Sequence, residues 1–329
     1  RPPPRSTPFP YTTLFRSANN NGWINAAELN GDIDVSITLP GTARVGDSLL
    51  VSINGVPQAP LVLTLADINR GSIALAVANP GEGQSLEVTA QVRDPAGNLG
   101  KTGSDSATVD TIPPNGGQAP TVTITEDADN NGYINAAELN GEVDVKIAFD
   151  PAKVDAGDIV VVTSGTITRE ITVTAADLTK GYVTTAFAAP PSGDSIVVSA
   201  RIVDPAGNST PPGSDSAIVD TDAPNKGDAP TVTIVEDANN DGFINRAEAQ
   251  GTADVRIDFK PALVEVGDIV RVTDGSTTRE IVIDAASKAA GHVLTDFPIP
   301  APGNTLVVTA SIVDPAGNST LPGQDSAKV

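Results

Sequence analysis

In the stretch EDADNNGYINAAE, Glu126 to Glu138, oxygen-bearing side chains stand at the spacing of a calcium loop. Counted from Asp127 as position 1, Asp127, Asp129, Asn131, Asn135 and Glu138 fall at positions 1, 3, 5, 9 and 12, and Gly132 holds position 6. In a loop of the EF-hand kind, alternate side chains turn inward, position 7 gives a backbone carbonyl, here that of Tyr133, and the last glutamate binds through both oxygens. Glycine at the sixth place permits the sharp turn. A hard divalent cation, Ca2+ by this donor set, meets the oxygens it needs; without it, carboxylates about 5 Å apart repel by about 1 to 3 kcal/mol per pair.

The motif returns as EDANNDGFINRAE, with Asp237, Asn239, Asp241, Gly242, Phe243, Asn245 and Glu248. A partial copy, SANNNGWINAAE from Ser17 to Glu28, offers Asn19, Asn21, Trp23, Asn25 and Glu28. Ser17 replaces the first aspartate there and Glu28 is the one carboxylate among these positions, so this copy is expected to bind weakly. A lone Asn, Asp and Gly cluster is usually a solvated turn. Three copies with Gly22, Gly132 and Gly242 spaced 110 residues apart favour a cation site instead.

Elements that can hold such loops follow from the same period. A chain of 329 residues repeating every 110 is expected to fold as three tandem domains, each large enough for its own core. Repeat 1 is expected over 18–117, repeat 2 over 118–227 and repeat 3 over 228–329, joined by the Pro- and Gly-rich stretches DTIPPNGGQAP and DTDAPNKGDAP. Residues 1–17, RPPPRSTPFPYTTLFRS, share nothing with the matching part of the other repeats, and their end resembles the translation of a sequencing adapter. Repeat 1 is therefore expected to lack its native first strand. With no initiator Met, the sequence is expected to be a fragment.

Within repeat 2 the apolar residues alternate as in half-buried strands, with Val143, Val145, Ile147 and Phe149 on one face of VDVKIAF. TVTIT, DIVVVT, TITREITV, VTTAFA, SIVVSARIV and SAIVD bring the expected strands to seven, with a hairpin about Ser164-Gly165. Helix is confined to single turns at AAEL after the loop and AADL near Asp177. The expected fold is all-β, three immunoglobulin-like β-sandwich domains of about seven strands each arranged as a rod.

A net charge of −21 argues against nucleic acid or anionic membrane as partner and suits cations. There is no cysteine, so no disulfide and no thiol chemistry. No apolar run has transmembrane length. His292 is the sole histidine and reads as a strand residue, since no second histidine exists to build a zinc site. Arg169-Glu170 and Arg279-Glu280 read as a solvated strand face. No phosphate loop, GxSxG elbow or HExxH occurs, and an enzyme is not expected.

The order TVTITEDADNNGYINAAELNGEVDV, AGDIVVV, RIVDPAGNSTPPGSDSAIVDTDAP resembles the bacterial immunoglobulin-like repeats of giant calcium-dependent RTX-type biofilm adhesins, over residues 18–329. The resemblance implies a calcium-stiffened stalk carrying ligand-binding domains away from a bacterial surface, with neighbouring repeats as partners and an extracellular location. Glycine-rich nonapeptides, a secretion signal and a ligand-binding tip are missing. If the repeats stack end to end, Asp110, Asp220 and Asp222 of the linkers would join Asp204 and Asn208, or Asp314 and Asn318, of the next repeat's DPAGN loop around a second ion. DPAGN reads equally well as a turn capped by its own Asp and Asn. Trp23, Tyr133 and Phe243 share one loop position, either as a plug on the domain end or as an exposed ring for sugars. The rival readings are a carbohydrate- or protein-binding module and an accessory region of a secreted hydrolase.

Overall fold

The computed structural model describes residues 21–249 and 251–329 and the backbone of 13–15. Alternation in the sequence becomes alternation in burial: Val143, Val145 and Ile147 are each 0% exposed while Asp144 between them faces water. The strand Val143–Ala148 is central in a three-stranded antiparallel sheet, flanked by Thr121–Ile124 and Tyr182–Phe187. Facing it is a second sheet in the order Gly213–Val219, Ser195–Val203, Ile159–Ser164, Ile167–Thr172. The two apolar faces interdigitate around Phe187, Val160, Val198 and Ile202 as one core, the arrangement of a β-sandwich. Two further cores of the same make-up lie before and after it in the chain.

A strand absent from the expected set runs along the edge of the second sheet. Tyr133–Ile134, inside the motif loop, pairs parallel with Ile218 and Val219. Two residues are too few for an alternation pattern, so no periodicity betrays them. Thr13–Phe15, in the stretch read as a foreign leader, pair antiparallel with Val35–Ile37. That is the place Thr121–Ile124 takes against Val145–Ala148 in the middle unit.

The first and last strands of a unit approach closely. A Cβ on Gly213 would lie 1.9 Å from the Pro120 carbonyl oxygen, and one on Gly323 equally close to that of Pro230. Asp215 Oδ2 then accepts from the Ile124 N–H at 2.8 Å, and Asp325 does the same for Ile234. The recurring aspartate of DSA is thus a staple between sheets.

The helix Ala175–Lys180 is capped by a reciprocal Thr174 and Asp177 box and ended by left-handed Gly181. AAEL remains one turn, closed by Leu139 N donating to Asn135 O.

Candidate cation sites in the loops and at the junctions

Each motif loop is built in two halves. In the first, Asp127 accepts from the backbone N–H of Asn131 at 2.9 Å and of Gly132 at 3.0 Å, one bond to each carboxylate oxygen. Asp237 does likewise with Asp241 and Gly242. Each oxygen retains acceptor capacity beyond that bond. The Gly132 and Ile134 carbonyls accept from Ile218 and Asp220. Strand alternation therefore turns the Tyr133 carbonyl, the expected position-7 donor, away from that strand.

In the second half, Asn135 Oδ1 accepts from Ala137 and Glu138, while Glu138 Oε2 accepts from the Asn135 N–H. This is a capping box, and it uses both lone pairs of the asparagine oxygen. Asn25 and Asn245 make the same turn with Glu28 and Glu248. Position 9 of all three loops thus serves the turn first, and its part in an ion's shell is limited to contact through water, as is common for that position. Ser17 and Asn19 lie outside the described residues. Asn21 Oδ1 accepts from Trp23 N–H, as Asn131 does from Tyr133.

The same asparagines reach the following repeat. Asn25 Nδ2 donates to Ala206 O and Asn135 Nδ2 to Ala316 O, both at 2.9 Å. Asn208 of DPAGN answers by accepting from Ala26 N–H and donating to Asp110 O. Asn318 repeats this with Ala136 and Asp220. Asn208 and Asn318 are 6% and 7% exposed. Expected as possible ion ligands, they form a clasp between repeats, with their amide nitrogens also held by Asp204 and Asp314. DPAGN is in addition the self-capped turn that was the other reading, since Asp204 Oδ1 accepts from Asn208 N–H.

The linkers are docked rather than loose. Asn115, left-handed at φ 54° and buried, donates its N–H to Lys153 O and accepts from Asp150 N–H. Asn225 accepts from Lys260 N–H in the same way.

Between these contacts lies a cavity of about 680 Å³ at each junction. The first is walled by Glu82, Asp110, Asp155, Asp158 and Asp204, with Trp23 on its side. Around the second stand Asp220, Asp222, Glu265, Asp268 and Asp314. Glu82 of the first wall gives way to Ser192 in the second repeat, and Ile112 gives way to Asp222, so both walls keep five carboxylates. Asp158 and Asp268 are 2% and 3% exposed, each with one oxygen bonded to a backbone N–H. Burial first, then neighbouring carboxylates, pushes Asp158 up; the same causes act on Asp110, Asp268 and Asp314. Such sites favour a proton or a cation over a bare charge. Among the described residues, no three acidic or histidine side chains converge tightly enough to hold a metal. The donor chemistry fits calcium; the walls would have to draw together around it.

Sequence reasoning missed Glu82, Asp155, Asp158, Glu265 and Asp268. The available signal was the recurrence of Gly-Asp at Asp47, Asp158 and Asp268. Trp23 and Tyr133 are half-buried, which suits the plug, while Phe243 is 56% exposed. His292 sits in an edge strand with Nδ1 against Ala290 O. Arg169, Glu170 and Glu280 are exposed on the strand face as expected, and the Arg169 and Arg279 guanidinium groups also lie over the Phe187 and Phe297 rings.

No protein-family model and no curated protein matches the chain. Solved structures do. One is a Ca2+-stabilized adhesin that helps an Antarctic bacterium reach out and bind ice, with 26% identity, 98% of this chain and 74% of that one covered, and a TM-score of 0.37. Another comes from a 1.5-MDa bacterial ice-binding adhesin, at 22% identity, 98% of both chains and TM-score 0.32. A third is a tetra-tandem repeat in the extending region of a large adhesion protein, at 18% identity, 96% and 73% coverage and TM-score 0.32. No helix among the described residues is long and apolar enough to cross a membrane.

Proposed function

We propose that the chain is a stretch of extracellular stalk from a bacterial surface adhesin, in which calcium stiffens the joints between immunoglobulin-like repeats and the repeats perform no catalysis. The observation that carries this is the junction: a docked linker, an asparagine clasp and a wall of five carboxylates, with Asp158 or Asp268 buried in it, meet at each of the two joints, an arrangement that sets orientation and then leaves charge for an ion to neutralise. The motif loops would take further ions through Asp127, Asp129, Asn131, Tyr133 O and Glu138, and through Asp237, Asn239, Asp241, Phe243 O and Glu248. Glu28 leaves the first loop weaker. With calcium about tenfold above the dissociation constant, one site would add about 1.4 kcal/mol to folding stability.

A role in biofilm attachment belongs to the same reading, with the ligand-binding part elsewhere in the parent protein. The test is calcium titration by calorimetry with small-angle scattering on the same samples. Binding should be accompanied by a narrower distribution of interdomain distances, and Asp158→Asn with Asp268→Asn should remove junction ions while sparing those of the loops. Identical scattering with calcium and with chelator would refute the stiffening, and binding to a glycan array would favour the carbohydrate-binding rival.

A further inference from the structure

The pole of the first repeat departs from its two counterparts in charge. Where Asp155 lines the first cavity and Glu265 the second, three residues before the buried aspartate, the first repeat has Arg44 ahead of Asp47. Arg93 stands before the DPAGN loop in place of Val203 and Val313, and Lys101 stands after it in place of Pro211 and Leu321. Leu99 takes the place of Ser209 and Ser319 and bridges to Arg93. All are exposed, Leu99 at 57% and the neighbouring Val45 at 58%. The Arg44 guanidinium donates to its neighbours Gly41 O and Ala43 O. Among the described residues none of these three cations has a carboxylate within ion-pair distance.

We infer that this pole is an interaction surface for a carboxylate-bearing extended segment, of the kind that leaves the end of an immunoglobulin-like unit, and that it receives that segment by direct ion pairing with no divalent cation. Continuity with the internal junctions supplies the geometry. There the same pole meets a linker through Asp110 or through Asp220 and Asp222, and the acidic walls face acidic linkers. Each lining holds one lysine, Lys153 or Lys226, against five carboxylates, and the excess of like charge calls for a further cation there. The first pole keeps Asp47 and Asp94, but Arg44, Arg93 and Lys101 outnumber them and meet that requirement with complementary charge, and Leu99 and Val45 add an apolar contact. The inference does not depend on calcium binding anywhere in the chain.

The test uses the full isotope-labelled chain and, as probe, a synthetic peptide of residues 214–226 carrying Asp220 and Asp222, followed by amide shift changes in chelator. Shifts should appear at Arg44, Val45 and Leu99. They should weaken about tenfold or more with Arg44→Asp, and also between about 0.1 and 0.5 M salt, where screening shortens the reach of charge. Because Arg44 also bonds its own loop, a second variant, Arg93→Gln with Lys101→Gln, tests the same charge with that loop intact. A peptide with both aspartates changed to asparagine should not bind. No shifts at millimolar peptide, equal binding by the variants, or binding only with calcium present would each overturn the inference.

Discussion

Two asparagines do work at the residue scale that their sequence context assigned to metal. Asn208 accepts from Ala26 and donates to Asp110, so one side chain ties a loop and a linker of the preceding repeat to its own turn. Replacing it with alanine leaves a part-buried N–H and a part-buried carbonyl without this partner, at a cost of about 1 kcal/mol each. Asn208→Ala should therefore widen the angle distribution between the first two repeats in chelator, read by scattering, while each repeat's own melting transition stays in place. An unchanged distribution would show that the docked linker alone sets the joint. Asp215 is different, since its bond to the Ile124 N–H lies inside one repeat. Asp215→Ala should lower the stability of the middle unit by about 1 to 2 kcal/mol in urea titration without altering the joints.

At the scale of elements, what could be read in advance was what repeats at short range. The strand carrying Val143, Val145 and Ile147 announces itself by alternation, and its apolar face is fully buried. The helix after Thr174 was visible only as a turn; its six residues depend on the capping box and on Gly181. Thr174→Ala should melt that helix at a cost of about 1 kcal/mol, seen as faster amide exchange over 175–180. The cavity wall was half legible. Asp110 and Asp204 were found because they belong to recognisable motifs, but Asp158 carries only the recurring Gly-Asp pair, and its wall is completed by carboxylates of the preceding repeat. Spacing within a motif cannot report a neighbour that arrives from the next domain. Nor can it report that the loop asparagines spend both lone pairs on a turn.

For the whole molecule, the walls make stability depend on pH in a sense opposite to most acidic proteins. Asp110, Asp158, Asp268 and Asp314 are pushed up by burial and by one another. A carboxyl whose folded pKa lies above its unfolded value costs stability while ionised, and the cost vanishes as pH falls through the folded pKa. Helix-capping Asp177 is held low by Thr174, so its contribution persists until pH falls well below the junction range. In chelator, the melting temperature should rise as pH is lowered toward the raised folded pKa values of these carboxyls, then fall in stronger acid. With saturating calcium the first trend should reverse, since protons then compete with the ion. Scanning calorimetry at both conditions decides it; a steady decline in chelator would mean that the wall carboxylates are already relieved of their repulsion.

The short parallel pairing of Tyr133–Ile134 with Ile218 and Val219 has a mechanical meaning. One partner lies near the entry of the polypeptide into its unit and the other at its exit, both running in the same direction. Tension drawn through the two ends would slide these segments past each other, loading the Ile218 to Gly132 and Asp220 to Ile134 bonds together rather than peeling them open one after another. A sandwich fastened this way resists a pull along its length better than one whose terminal strands unzip.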